Sequence, residues 1–232
     1  HLYYTRTHGY KDCLTAKLDQ NNIDTKVYLK LIEQVRANLE PFHRYIKLKQ
    51  KLLKLKTFRY EDIYASSVKA VDKKYTIPEA RGILMKMTKI LGKEYIDGLT
   101  LAFNNRWIDW YPNKNKQSGY YSAGLYGVHP YVKMNYDGSY TSLAYLVHEL
   151  GHALHSHLSN KTQHFTNTDY PSFLAEIAST FNENLLVDYL LKHEKDDLLK
   201  LFILDEYMSG VKGSVYRQTQ FADFELAMHR HV

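Results

Sequence analysis

Apolar residues recur at helical spacing over most of the chain. Asp24 or Thr25 caps a helix through VYLKLIEQVRANLE, and Pro41 opens a second that runs to about residue 56, so the two are expected to form a helical pair. A shorter helical start lies at 14–18. Thr76 and Glu79 stand at capping-box spacing with Pro78 in the first turn, which predicts a helix through EARGILMKMTKIL that ends at Gly92. A further helix is expected over about 94–105. From Thr141 the helical period returns and predicts helices near 141–158, 171–191 and 195–227, joined by loops around 160–170 and 192–195.

Between these two helical regions the pattern changes. RWIDWY, GYYSAGLYG and YVKMNYD are short, aromatic and β-branched, and the clusters PNKNKQSG and YDGS separate them. They read as a small antiparallel sheet. The change falls at Trp107 and divides the chain into a helical segment, 1–106, and a segment 107–232 that holds the sheet and the later helices. The fold expected is mostly α, with the sheet placed just before the helix at 141–158. No internal repeat or low-complexity segment interrupts it.

Composition narrows the class. With 232 residues and 44% hydrophobic content, the chain can bury a core in one or two domains. No run approaches the roughly 20 apolar residues that cross a bilayer, and HLYYTRTHGY lacks the basic and apolar regions of a signal peptide, so no membrane partner is expected. The chain does not start with Met and stops at HRHV inside a helical pattern; both ends are expected to be cut from something longer. The lone Cys13 excludes an internal disulfide framework and fits a reducing, cytoplasmic compartment. The net charge of +6 is N-terminal: residues 1–75 hold 16 Lys/Arg against 8 Asp/Glu, and residues 76–232 hold 15 against 17. Its densest part, KLKQKLLKLKTFR, reads as a solvated helix with Leu48, Leu52 and Leu55 on one face. No basic-aromatic module accompanies it, so nucleic acid is not an expected partner. The 21 tyrosines are scattered and point to polar-tipped packing or a groove wall.

The chemistry concentrates in SLAYLVHELGHALHSHL. Leu143, Leu146, Val147, Leu150 and Leu154 form an apolar stripe, while His148, His152 and His155 fall at i, i+4 and i+7 on another face. Two imidazoles one turn apart can grip one zinc ion, and Glu149 beside the first is placed to take a proton from an activated water, as H-E-x-x-H requires. A catalytic zinc needs a third protein ligand and an open fourth position. A metzincin extension would put Gly at 155 and His at 158; His155 and Leu158 stand there instead. Asp169, Glu176 and Glu183 remain as competing carboxylates. Glu176 is the best placed, 24 residues after His152 on a helix that can return antiparallel. Glu183, at i+7 from Glu176, shares its face and either hydrogen-bonds a ligand imidazole or is a solvated carboxylate.

HELGHALH followed by FLAEIASTFNE resembles the M3 peptidases, and in particular the oligoendopeptidase F branch. GYKDCL, NLEPFHRYIKLKQKLL, VDKKYT, NRWIDWYPNKNKQSGYYSAGLYGVHPYV and GSVYRQTQFADFE are similar, in order, to stretches of that branch. The resemblance implies a zincin-like catalytic core with one zinc ion per chain on His148, His152 and Glu176, Glu149 as general base, and His155 as a histidine that is not a ligand. It implies a two-lobed helical shape with a deep channel that admits short unfolded peptides. It also matches GLYGVHPYV to a strand lining the cleft, where Gly127 and Val128 would pair with an extended peptide beside His129 and Tyr131, two residues that are more often structural. Family residues that stabilise the oxyanion would follow Val232, and without them hydrolysis is expected to be slow. The competing expectations are another zinc hydrolase built on the same helix and, outside enzymes, a helical nucleic-acid-binding domain with surface histidines.

Overall fold

The computed structural model describes residues 1–68 and 72–230. The last two residues of HRHV and the first of VDKKYT lie outside the described residues. Ten α-helices carry the described chain: α1 Leu2–Thr7, α2 Cys13–Asp19, α3 Thr25–Ala37, α4 Glu40–Leu52, α5 Ile77–Met87, α6 Lys93–Asn104, α7 Tyr140–Thr162, α8 Ser172–His193, α9 Asp197–Val211 and α10 Gln218–Arg230. Three short strands, β1 Ile108–Asp109, β2 Tyr121–Ala123 and β3 Tyr131–Lys133, fall between α6 and α7. Among the described residues no helix is long and apolar enough to cross a membrane.

The chain forms two compact units, one of His1–Ala70 with Asp196–Val232 and one of Val71–Lys195. This division differs from the 1–106 and 107–232 segments expected from the change of pattern at Trp107. Local periodicity records where helix gives way to strand, whereas compactness depends on which elements pack together, and α5 packs with α8 and α6 with α7.

In the first unit Tyr28 donates from its hydroxyl to the Ala222 carbonyl at 2.8 Å and Arg36 pairs with Asp223, which tie α3 to α10. The inward face of α4 is not the Leu48–Leu52–Leu55 stripe. Leu48 and Leu52 are exposed, the helix ends at Leu52, and Tyr45 and Lys49 are buried instead. Burial pushes the Lys49 ammonium below its usual pKa, opposed by Asp205. The helix expected over 195–227 is continuous in path but widens into a π-helical turn over Lys212–Arg217.

The second unit is built around α7. Leu143, Leu146, Val147, Leu150 and Leu154 are each fully buried, so the apolar stripe faces the core as the spacing predicts. The capping box at the start of α5 forms, with Thr76 and Glu79 exchanging bonds, and Gly92 closes the following 3₁₀ turn at φ 89°. The sheet is mixed rather than antiparallel, with order β1-β3-β2. β2 and β3 pair antiparallel, but β1 runs parallel to β3, continued by bonds from Val132 N to Trp107 O, Met134 N to Asp109 O and Tyr136 N to Trp110 O. The chain leaves β1, passes to the far edge to form β2, and returns through β3 in the middle; a long excursion of that kind permits a parallel neighbour. Alternation along single strands carries no record of this crossing.

Ser139 caps α7, accepting from Ser142 N at 3.1 Å, and Asp137 accepts from Ser139 N at 2.9 Å. Hydrogen bonds from Ser139 hold the Asp137 carboxyl at about 2, below its ordinary 3.8. A depressed carboxylate stabilises the fold fully above its unfolded pKa and stops doing so as pH falls through its folded one. Asp137→Asn is therefore expected to remove part of the stability difference between pH 4 and pH 2, by less than about 1 kcal/mol because the group is exposed. Denaturant midpoints at the two pH values read this directly.

Candidate metal centre

α7 places His148 and His152 one turn apart on the side away from its leucine stripe, both partly buried. Their Nε2 atoms lie 3.1 Å from each other. α8 returns alongside and brings Glu176 Oε2 to 3.3 Å from His148 Nε2 and 3.4 Å from His152 Nε2. The competing carboxylates separate here: Asp169 stands further along the same cleft, and Glu183 accepts from His148 Nδ1 at 2.5 Å.

Close packing makes this return possible. A Cβ at Gly151 would sit 2.7 Å from Ser179 Cα and 2.9 Å from both Ala178 O and Ser179 N, so the third residue of ELG is the point where the two backbones meet. Asn182, buried, clamps the same interface by donating to Val147 O at 3.3 Å and to the Tyr95 hydroxyl at 2.7 Å. Ser179, fully buried, donates to Glu176 Oε2 at 2.7 Å.

The three donor atoms suit a metal ion in spacing and in kind. Zinc binds imidazole nitrogen and carboxylate oxygen at about 2.0–2.1 Å, which sets neighbouring ligands of a tetrahedron about 3.3 Å apart. The observed edges of 3.1, 3.3 and 3.4 Å match one such face. The bond to Glu183 puts the His148 proton on Nδ1 and leaves Nε2 as a lone-pair donor. Burial pulls the His148 pKa down, but the hydrogen bond and charge of Glu183, with Glu149 and Glu176, raise it above its ordinary value. His152 is pushed down by burial, against the charge of Glu176 and the backbone carbonyl of Ala175. Glu149, 7% exposed, is held above the usual carboxylate range by burial, with His148 opposing and Glu176 adding to the rise.

His148, Glu149, His152 and Glu176 share an open cleft of about 470 Å³. Its other walls are Tyr120, Tyr121, Ser122 and Gly124 at the edge strand β2, Ser156 and Asn160 further along α7, and Thr168 to Tyr170 in the loop before α8. His155 is not in the cluster: its ring stacks on Tyr170 at 3.7 Å, its Nδ1 is buried without a hydrogen-bond partner among the described residues, and burial lowers its pKa. Gly127 and Val128 lie in the turn after β2, with Gly127 at φ 82°, and do not line the cleft. His129 stacks on Trp107 at 5.7 Å and packs with a tilted ring against Tyr131 at 4.5 Å, and its Nδ1 bonds Pro130 O. Tyr131 is half exposed at the start of β3.

Gly151, Ser179, Asn182 and the β2 wall belong to the site without standing out in the sequence as functional residues. Only Gly151 left a signal, because an isolated glycine inside a strong helical pattern calls for a packing reason.

A family model described as peptidase family M3 matches residues 1–232. The chain is 40% identical over 227 residues to Oligopeptidase PepF of Bacillus subtilis, covering 98% of this chain and 34% of that protein. Among solved structures, a candidate peptidase from Chlamydophila abortus superposes with a TM-score of 0.90 at 42% identity, covering 99% of this chain and 38% of the other. The oligoendopeptidase-F of Enterococcus faecium does so with a TM-score of 0.67 at 30% identity, covering 97% and 32%. The chain thus spans about a third of the length of the relatives it matches.

Proposed function

Because the chain belongs to peptidase family M3, we propose that it carries the zinc centre of an endopeptidase acting on short, unstructured peptides. The observation that carries this reading is the face of three donor atoms, 3.1 to 3.4 Å apart, in one cleft with the buried Glu149. His148, His152 and Glu176 would hold the ion. A zinc ion held there would supply Lewis acidity to the scissile carbonyl and would bring the pKa of a water toward about 7.

Glu149 takes the proton of the attacking water and passes it to the leaving amine. Its burial suits the task, since a carboxylate held above its usual range is a stronger base toward the attacking water. Glu183 keeps His148 in the tautomer and orientation that face the ion. β2 is an edge strand whose residues line the cleft, so an extended peptide can lie along it by strand addition, while Tyr120 and Tyr121 offer apolar surface to its side chains.

The intact protein is expected to purify with about one zinc ion per chain, and His148→Ala to lose both the ion and peptide cleavage. Metal analysis beside a panel of short peptides and esters tests this. A wild-type protein that binds no zinc, or that cleaves esters and not peptides, overturns the reading.

A further inference from the structure

Each ligand of the candidate centre needs something to hold it, and Glu176 needs this most. Its side chain is 64% exposed, against 20% and 18% for His148 and His152, so solvent competes for it and its rotamers are otherwise open. Ser179 stands one turn further along α8 with no surface of its own exposed. Its hydroxyl has one proton and two acceptors in reach, Glu176 Oε2 at 2.7 Å and the Glu176 backbone carbonyl at 3.0 Å. The shorter contact is to the charged oxygen, where a hydrogen bond is stronger. That oxygen is the same atom that lies 3.3 and 3.4 Å from the two imidazoles.

Ser179 itself cannot drift. Its Cα and N lie against Gly151, in a close approach of α8 to α7, so the hydroxyl is fixed relative to the histidines rather than only to its own helix. From this geometry we infer that Ser179 is a positioning residue for the metal, holding Glu176 Oε2 over the two imidazoles. Glu176, Ser179 and Glu183, at i, i+3 and i+7, then form one face of α8, with Ser179 orienting the carboxylate ligand and Glu183 the first imidazole. Alanine at 179 removes the hydroxyl and its proton without adding an atom.

The inference rests on the zinc reading above, and the experiment separates the two. Zinc affinity is measured by competition with a chromophoric chelator in wild type, Ser179→Ala, Glu176→Ala and the double variant, together with the visible spectrum of the cobalt(II) forms and melting of the apo proteins. Removing a group that orients a ligand weakens metal binding by about 10- to 100-fold. Ser179→Ala is expected at about tenfold, with an altered cobalt spectrum and an apo melting temperature close to wild type. In the Glu176→Ala background the same change should have no further effect, because the residue acts through that carboxylate. Wild-type affinity and cobalt spectrum in Ser179→Ala, or an equal loss with and without Glu176, overturns the inference while leaving the zinc centre intact. No zinc bound by the wild type overturns both.

Discussion

Replacing Glu149 by glutamine is expected to lower peptide hydrolysis by the intact protein by about 10²- to 10⁴-fold, the range for loss of a positioned general base. Glutamine keeps the volume and the polar tip, so the fully buried neighbours Val147 and Leu150 should remain packed. Glu149 is not among the three residues whose donor atoms converge, so zinc content should stay at the wild-type level. The expected result is thus a protein with normal metal content and melting temperature but little turnover. Peptide cleavage within a few fold of wild type would exclude Glu149 as the base, and loss of zinc would place it among the ligands instead.

Gly151→Ala is expected to be the most damaging small change in this part of the chain. Helix propensity argues the other way, since alanine in a helix interior is favoured over glycine by about 1 kcal/mol. Packing decides the sign. The added carbon would fall 2.7 to 2.9 Å from three backbone atoms of Ala178 and Ser179, none of which can turn aside as a side chain can. Overpacking of this kind costs about 1–3 kcal/mol, and the relief available is outward movement of α8. That movement carries Glu176 and Ser179 away from the imidazoles, and Glu183 away from His148. A lower melting temperature should therefore accompany at least a tenfold loss of zinc affinity. Melting and zinc titration of one purified variant check both, and a Gly151→Ala protein more stable than wild type with unchanged affinity would show that propensity dominates.

The two variants mark different degrees of legibility. The identity of Glu149 follows from its place beside His148 within one helix, where 3.6 residues per turn fixes neighbours before any tertiary contact forms. The apolar stripe of α7, the capping box at Thr76 and Glu79 and the common face of Glu176 and Glu183 are legible for the same reason. The direction of β1 is not, because a parallel or antiparallel partner accepts the same two residues. The buried side of α4 also escapes local reading: Lys49 is as good a solvent residue as Leu48 is a core residue until the neighbouring chain covers one and leaves the other.

By itself, then, the sequence determined the polar groups: two imidazoles and a carboxylate on one helix, a second carboxylate on the next, and a run of leucines to bury the other side. These are matters of spacing within single helices, where geometry is local. Only the tertiary structure decided that the donors meet, that Glu176 rather than Asp169 completes the triangle, that Ser179 and Glu183 hydrogen-bond two of its members, and that β2 walls the cleft. Those outcomes depend on how closely α8 approaches α7. That distance is set by a missing Cβ at Gly151 against the backbone at Ser179, a contact between residues 28 positions apart that neither helix records alone.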